Sequence, residues 1–400
     1  MTEPSSTATR PHIPTGVWVL GFVSMFMDIS SEMVHSLLPL FMVSVLGASA
    51  LAVGLIEGVA EATVLVAKTF SGVLADVLGK RKGLALAGYG LGALTKPLFA
   101  VAPDLSVVVT ARLLDRIGKG VRGAPRDALV ADITPAAMRG AAFGLRQSLD
   151  TVGAFVGPLL AVGLMLWWHD DFRAVFWVAV VPGLLAVGLL AAGVHEPDRA
   201  AAARRTNPIR RTNLARLSRP YWWVVAVGTV FTFARFSEAF LVLRARQTGV
   251  PVAFVPLVMV VMSLVYSLTA YPFGRLSDRM PHRTLLALGL AVLICADAVL
   301  ATNGHWATVL VGVALWGLHM GMTQGLFARM VADTVPPDLR GTGYGLFSLV
   351  SGGAMLAASA LAGLLWDRFG APATFGAGAV FCALAMAGLV RPPTAVATPE

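Results

Sequence analysis

What most constrains this chain is a repeated run of apolar residues, each long enough to cross a bilayer. Apolar stretches fall at roughly 16–45, 50–77, 83–101, 106–133, 138–166 and 172–194, and again at 221–245, 252–277, 284–302, 306–333, 339–366 and 370–390. A spanning helix needs about 20 such residues, so twelve of them use roughly 240 and leave roughly 160 of the 400 for termini, loops and overhang. Charge is correspondingly scarce at 13% of residues, about half the share a water-exposed domain carries. A soluble fold is excluded, and the expected class is an all-α integral membrane protein of twelve transmembrane helices.

From His195 to Pro220 the composition turns polar and basic, with Arg199, Arg204, Arg205, Arg210, Arg211, Arg216 and Arg219. This stretch divides the chain into an N-terminal six-helix bundle over 1–194, a basic linker over 195–220 and a C-terminal six-helix bundle over 221–400. Lys80, Arg81 and Lys82 between spans 2 and 3, and Arg275, Arg279 and Arg283 around spans 8 and 9, fall on the linker's side. The opposite loops offer mainly Asp104, His169 to Arg173, Asn303 and Asp367. The positive-inside rule then places linker and both termini in the cytoplasm of a cytoplasmic (inner) membrane protein. Arg244 and Arg246, after span 7, run against that pattern. The excess of 31 Lys and Arg over 22 acids is therefore read as topology rather than as a nucleic-acid footprint. Cys295 and Cys382 sit in apolar runs without the spacing of a disulfide framework or a metal site. The polar start, Met1 to Thr15, lacks the features of a removable signal peptide.

The halves repeat each other. Gly72, Leu74 and Asp76 recur 202 residues on as Gly274, Leu276 and Asp278. Asp132, Pro135, Arg139, Gly140, Gly144 and Leu145 recur 201 residues on as Asp333, Pro336, Arg340, Gly341, Gly345 and Leu346. Two six-helix repeats joined by a basic linker describe the parallel halves of a rocking transporter. The segment Gly72-Val73-Leu74-Ala75-Asp76-Val77-Leu78-Gly79-Lys80-Arg81-Lys82 resembles the signature loop of the major facilitator superfamily, and the resemblance covers essentially the whole chain. Val77 stands where that family often has arginine, whereas the second copy, Gly274-Arg275-Leu276-Ser277-Asp278-Arg279, keeps a basic residue there. Gly153-x-x-x-Gly157-Pro158 in span 5 resembles the antiporter motif of the drug:proton exporters, with Ala161 and Val162 in place of its trailing glycines. The resemblance implies two pseudo-symmetric six-helix halves and secondary active transport by alternating access, with proton-coupled efflux of a drug, metabolite or organic anion.

The motifs make physical sense on their own terms. Asp76 at a helix end beside Lys80 and Arg81 can hold charge-assisted hydrogen bonds that close one face and break when it opens. A cytoplasmic gate is expected there from Gly72, Asp76, Gly79, Lys80 and Arg81 with Gly274, Asp278 and Arg279, joined by Arg126 and Arg122 from span 4. Gly153 and Gly157 let helices approach closely, and Pro158 withdraws a backbone donor so that span 5 can bend.

Charges inside the spans are the most informative residues, since each costs at least about 2.5 kcal/mol at a helix centre. Asp28, Glu32 and His35 share one face of span 1, and Glu57, Glu61 and Lys68 one face of span 2. Arg146 and Asp150 stack above Gly153 and Gly157 in span 5, and Arg235 and Glu238 lie one turn apart in span 7. In span 4, Arg112, Arg116, Lys119, Arg122 and Arg126 form a basic stripe tempered by Asp115 and Asp127. Such a stripe must line an aqueous cavity or bind the acids of spans 1, 2 and 5. Arg112 and Arg116, nearer mid-membrane, are assigned to the cavity. The C-terminal half contributes mainly Arg235, Glu238 and Asp297.

Burial favours the neutral form of a carboxyl and a nearby arginine favours the anion, so such a group exchanges a proton as its surroundings change. Asp28 or Glu32 is expected to carry the coupling proton, with Arg112 or Arg116 competing for it, and Glu61 and Asp150 as further candidates. The basic stripe favours an anionic cargo or a carboxylate-bearing chelate. Met25, Met27 and Met33 with His319, Met320 and Met322 offer an alternative path for a soft metal ion. A non-transporting membrane sensor is a remote alternative. No nucleotide loop, catalytic triad or zinc signature is present, so no enzyme, cofactor or bound metal is expected. The partners implied are a small solute, protons and the lipid bilayer, with the monomer as the working unit and no nucleic acid.

Overall fold

The computed structural model describes residues 13–78, 81–135, 138–196, 216–277, 279–302, 304–323, 325–336 and 339–390, without the side chains at 72, 73, 75–78, 340, 341 and 390. Among these residues the regular structure is helical, with no strand. Spans 2 to 6 are Ala50–Leu78, Arg81–Val101, Leu105–Ile133, Arg139–Trp167 and Phe172–Gly193. Spans 9, 11 and 12 are His282–Ala301, Arg340–Phe369 and Ala371–Val390. The other four are interrupted. Span 1 runs as Thr15–His35 and Leu38–Ser44, span 7 as Arg219–Ala234 and Ala239–Gln247, and span 10 as Trp306–Thr323 and Leu326–Thr334; span 8 begins with a 3-10 turn, Val252–Phe254, before Leu257–Leu276. Eleven of the twelve are apolar enough to cross a membrane by hydropathy alone. The exception is Leu105–Ile133, the span carrying the basic stripe. It crosses the bundle because its charges are matched by its neighbours.

The helices pack in two equivalent sets. In the N-terminal half span 1 lies against spans 5 and 6, span 4 against 2 and 3, and span 3 against 6. In the C-terminal half span 7 lies against 11 and 12, span 10 against 8 and 9, and span 9 against 12. Each pairing in one half maps onto the other by adding six to the span number, which is the pseudo-symmetry the sequence repeat predicts. The halves meet through spans 2 and 11 and through spans 5 and 8, again a symmetric pair. Glycines set these approaches. A Cβ at Gly153 would stand 2.6 Å from the Met25 carbonyl oxygen and one at Gly157 2.9 Å from that of Ile29, so the motif glycines seat span 5 on span 1. Pro158 sits within the unbroken helix Arg139–Trp167.

Local capping explains Arg244, one of the two arginines that run against the topology pattern; Arg246 is exposed and, among the described residues, reaches only the Val250 carbonyl at 3.5 Å. Arg244 donates through Nε to the Leu300 carbonyl at 2.9 Å and through Nη2 to that of Thr302 at 2.6 Å, closing the end of span 9. Arg173 does the same for span 3, donating to the Ala100 and Ala102 carbonyls at 2.9 and 2.6 Å. These arginines serve helix C-termini, where orphan carbonyls and the dipole favour a cation. Asp104 caps span 4 by accepting from the Ser106 and Val107 amides, and the Ser106 hydroxyl holds its carboxyl below the usual range.

Asp367, at the end of span 11, accepts from the amides of Ala50 and Leu51 at 3.0 and 2.8 Å. It therefore caps span 2 from the other half and clips the halves together at the end opposite the basic loops. Asp367→Ala is expected to lose about 1 kcal/mol, the usual worth of an N-cap, read as a lower melting midpoint of the detergent-solubilised protein. An unchanged midpoint would show that the clip carries no stability.

Candidate functional site

Between the halves lies a cavity of about 420 Å³. The break in span 7 and the charged faces of spans 1, 2, 4 and 5 build it. Its N-terminal wall carries Asp28, Glu32 and His35 from span 1, Glu57 and Glu61 from span 2, Arg116 and Lys119 from span 4, and Gln147, Asp150, Thr151 and Ala154 from span 5. Its C-terminal wall carries Arg235, Phe236, Ser237 and Glu238 at the break in span 7, Met259, Met262, Ser263, Tyr266 and Ser267 from span 8, Met320 from span 10 and Met355 from span 11. One wall is ionic, and the other is largely thioether, hydroxyl and aromatic.

Span 4 supplies the counter-charges, and helical spacing hands its cations to successive neighbours. Arg112 Nη2 donates to Glu57 at 2.5 Å, with both side chains sealed from solvent at 2% and 1% exposure. His35 stands 3.7 Å from Glu57 through Nε2 and 3.7 Å from Glu32 through Nδ1. The chain Glu32, His35, Glu57, Arg112 thus runs from the cavity into the bundle. Arg116 lies 3.6 Å from Glu61 and 4.0 Å from Asp115. Arg122 lies 3.9 Å from Asp28 and over the Tyr89 ring. Arg146 donates to Asp150 at 2.6 Å. Lys119 faces the cavity and makes no ion pair among the described residues.

Several expected placements change. Arg112 is expected in the cavity, yet Glu57 takes it up behind the wall. Asp115 is also withdrawn, because Lys96 Nζ donates to it at 2.8 Å. Lys96 is a charged residue that sequence reading missed: a single lysine in the apolar run of span 3, it reaches Asp115 and Ser31 while only 1% exposed. Arg126, expected in the gate, lies inside the bundle against Ser24, Asp127 and Asp150. Lys68 is exposed on span 2 and is not part of the cavity wall. Arg235 and Glu238, 3.9 Å apart, flank a non-helical break instead of sharing a helical turn. Met27, Met33, Met322 and His319 are packed in the two cores and only Met320 of that group reaches the cavity, so the methionines form no continuous path.

At the loop end, Arg81 pairs with Asp132 at the end of span 4, and Glu196 accepts from the Arg81 and Lys82 amides. Gly79, Lys80 and Asp278 lie outside the described residues, as do the side chains of Gly72 and Asp76. Gly274 and Arg279 are exposed.

The cavity's charge follows from this pairing. Six acids line it, Asp28, Glu32, Glu57, Glu61, Asp150 and Glu238, against three cations, Arg116, Lys119 and Arg235. With His35 neutral the lining groups alone carry three cations against six acids, and Arg112, Arg122 and Arg146, paired with Glu57, Asp28 and Asp150 directly behind the wall, make it six against six. The basic stripe that dominates span 4 in the sequence is largely spent on neighbours, and the cavity surface presents more carboxylates than cations.

Comparison with known proteins gives the same architecture. The profile of the Major Facilitator Superfamily matches residues 20–244 and 238–400. An uncharacterised MFS-type transporter of Methanocaldococcus jannaschii is 29% identical over 357 residues, covering 88% of each chain. The quinolone resistance protein NorA of Staphylococcus aureus is 22% identical, covering 88% of this chain and 90% of that one. Among solved structures, a POT family transporter in complex with a thioalcohol-conjugated peptide superposes with a TM-score of 0.77 at 12% identity, over 94% of this chain and 95% of that one. With helices, repeat and cavity in agreement with that profile over nearly its full length, this chain is a member of the major facilitator superfamily and an integral membrane transporter, not an enzyme.

Proposed function

We propose that the protein exports amphiphilic organic cations or zwitterions across the cytoplasmic membrane in exchange for protons. The observation that carries this reading is the carboxylate-rich cavity surface faced by a methionine-rich wall. Carboxylates attract a cation, and unbranched, polarisable thioethers pack against varied apolar bodies. The likeness to a quinolone resistance protein supports efflux. The carboxylates on the wall favour a cationic group over the anionic cargo that the span 4 arginines suggest in isolation.

Asp28 and Glu32 are the coupling carboxylates in this reading. Both are partly open to the cavity, at 27% and 20% exposure, and each faces a cation or imidazole, Arg122 and His35 respectively. Protonation removes their charge and releases the bound cation, and deprotonation restores the site. Glu61 and Asp150 hold Arg116 and Arg146 in place. The basic loops and both termini face the cytoplasm, the segments over 1–194 and 221–400 move as two bodies about the cavity, and a monomer suffices. The loop at Asp76, Arg81 and Asp132 is the cytoplasmic gate.

Uptake of a fluorescent lipophilic cation into proteoliposomes under an imposed pH gradient tests this. Asp28→Asn with Glu32→Gln is expected to lower proton-driven flux at least about tenfold, the effect of losing roughly 1.4 kcal/mol of coupling. Full proton-driven flux in the double variant, or uptake of organic anions with none of cations, would sink the reading.

A further inference from the structure

The N-terminal half neutralises its deepest lysine internally, through Lys96 and Asp115. The positions 201 residues further on are Asp297 and Trp316. The C-terminal half therefore holds an acid where its twin holds a base, and an indole where its twin holds the counter-ion. Asp297 is 0% exposed, and among the described residues neither of its carboxylate oxygens has a hydrogen-bond partner. The Trp316 Nε1 donor likewise has none among them. An isolated carboxylate is strongly disfavoured in an apolar interior unless something neutralises it.

The surroundings restrict what that can be. A Cβ added at Gly378 on span 12 would stand 2.6 Å from Asp297 Oδ2 and 3.2 Å from the Phe236 ring. Phe236 sits at the break in span 7, packs on Trp316 with ring centroids 5.6 Å apart, and lines the central cavity. Phe236 thus reaches both the surroundings of the carboxyl and the cavity. Cys382 on span 12, buried one turn beyond Gly378, is the titratable group close enough to feel the charge of Asp297, and as a neutral thiol it supplies no counter-charge. The other titratable and charged groups on the packed elements are engaged or remote. His319 on span 10 is bonded through Nδ1 to the Gly289 carbonyl. Arg235 and Glu238 face each other at the break, Arg244 is committed to the end of span 9, and Cys295 on span 9 itself is exposed. A hard metal cation needs about six oxygen ligands, whereas rings and a glycine surround this carboxyl. A proton needs no ligand shell.

We propose that Asp297 is a second proton-carrying carboxyl, in the C-terminal half, filled from and emptied into the central cavity when Phe236 moves with the break in span 7. Loading transfers a proton from cavity water to a carboxylate oxygen, and release returns it to that water. Its use in transport rests on the proton-exchange reading above, but its protonation and exchange are measurable without any cargo.

Infrared spectra of the full-length protein in liposomes, in water and after transfer to deuterium oxide, test the assignment. A protonated carboxyl has a C=O band that shifts on deuteration. The parent is expected to show a band that Asp297→Asn lacks, that Asp28→Asn/Glu32→Gln retains, and that Asp297→Glu moves. Phe236→Ala is expected to speed the deuterium shift of that band about tenfold or more, as a lowered opening barrier would. Identical spectra for parent and Asp297→Asn overturn the proposal, and so does a band that fails to shift in both parent and Phe236→Ala, which marks a static neutral acid. Transport by the parent protein that shows no proton dependence, with the band intact, overturns the proton-exchange reading alone.

Discussion

Arg112→Met is expected to melt far below the parent protein, by about 3–5 kcal/mol of stability, and Glu57→Met by a similar amount. Each variant strands one charge where neither water nor another full partner reaches it, since the two side chains are 2% and 1% exposed and joined at 2.5 Å. His35, 3.7 Å from Glu57, offsets part of the loss for Arg112→Met only if it takes up a proton. The double variant Arg112→Met/Glu57→Met removes both charges and keeps apolar volume, so it is expected to regain most of the loss. Thermal midpoints of the solubilised protein, read for the four combinations, give the coupling between the sites. Single variants within about 1 kcal/mol of the parent, or a double variant no better than either single, would show that the pair does not hold span 2 to span 4. Arg116→Met is expected to cost less, because its partner Glu61 is 38% exposed and open to the cavity.

Gly54→Val and Gly363→Val are expected to nearly abolish transport while leaving each half folded. Gly54 on span 2 packs directly on the Ser359 carbonyl of span 11, and a Cβ at Gly363 would stand 2.5 Å from the Ala50 carbonyl oxygen and 2.6 Å from the Leu51 Cα. The obstructing atoms are backbone, so they cannot turn aside as a side chain would. Overpacking of this kind costs about 1–3 kcal/mol, and it falls only on the arrangement in which spans 2 and 11 are closed at the Asp367 end. A shift of that size changes the population ratio of the two arrangements by about 5- to 150-fold. The labelling rate of a cysteine introduced as Ala50→Cys, in a Cys295→Ala background, by a membrane-impermeant thiol reagent reads the open population, since Ala50 is buried while this end is closed. A rise of at least about fivefold in each glycine variant is expected. Unchanged labelling together with lost transport would mean that the glycines act in some way other than closing this end.

Much of the architecture was legible because its causes are local. A helix in lipid must satisfy its own backbone and present an apolar surface, so each span announces itself by length and composition. The repeat of Asp132 to Leu145 in Asp333 to Leu346 announced the two halves, and the packing of spans 7 to 12 reproduces that of spans 1 to 6. Asp28, Glu32 and His35 were placed together by helical spacing, and all three line the cavity. Gly153 and Gly157 were assigned to close helix contact, and they provide it against span 1.

Charge placement across helices was legible only in part. Spacing along span 4 shows that Arg112, Arg116 and Lys119 share a side, but it carries no information on which residue of another helix stands at the same depth. The rotation and offset of spans 2 and 3 gave Arg112 to Glu57 and Asp115 to Lys96, and left Lys119 without an ion pair among the described residues. Breaks in spans 1, 7 and 10 were invisible for a similar reason. Interior packing, not composition, decides where an apolar helix unwinds, and in span 7 that is where Arg235, Phe236 and Glu238 reach the cavity.

The amino-acid sequence alone thus determined that this chain crosses the membrane twelve times, that it does so as two related halves, and that a few buried charges set it apart from a simple lipid-facing bundle. Hydrophobicity, repeat and positive loops act residue by residue or within one helix, so they can be read along the chain. Only the tertiary structure decided which charges face the transport cavity. Coulomb interaction in a low-dielectric interior depends on a few ångströms between side chains of different helices, and those distances turned a basic stripe into the buried half of an ion-pair network whose carboxylates face the cavity.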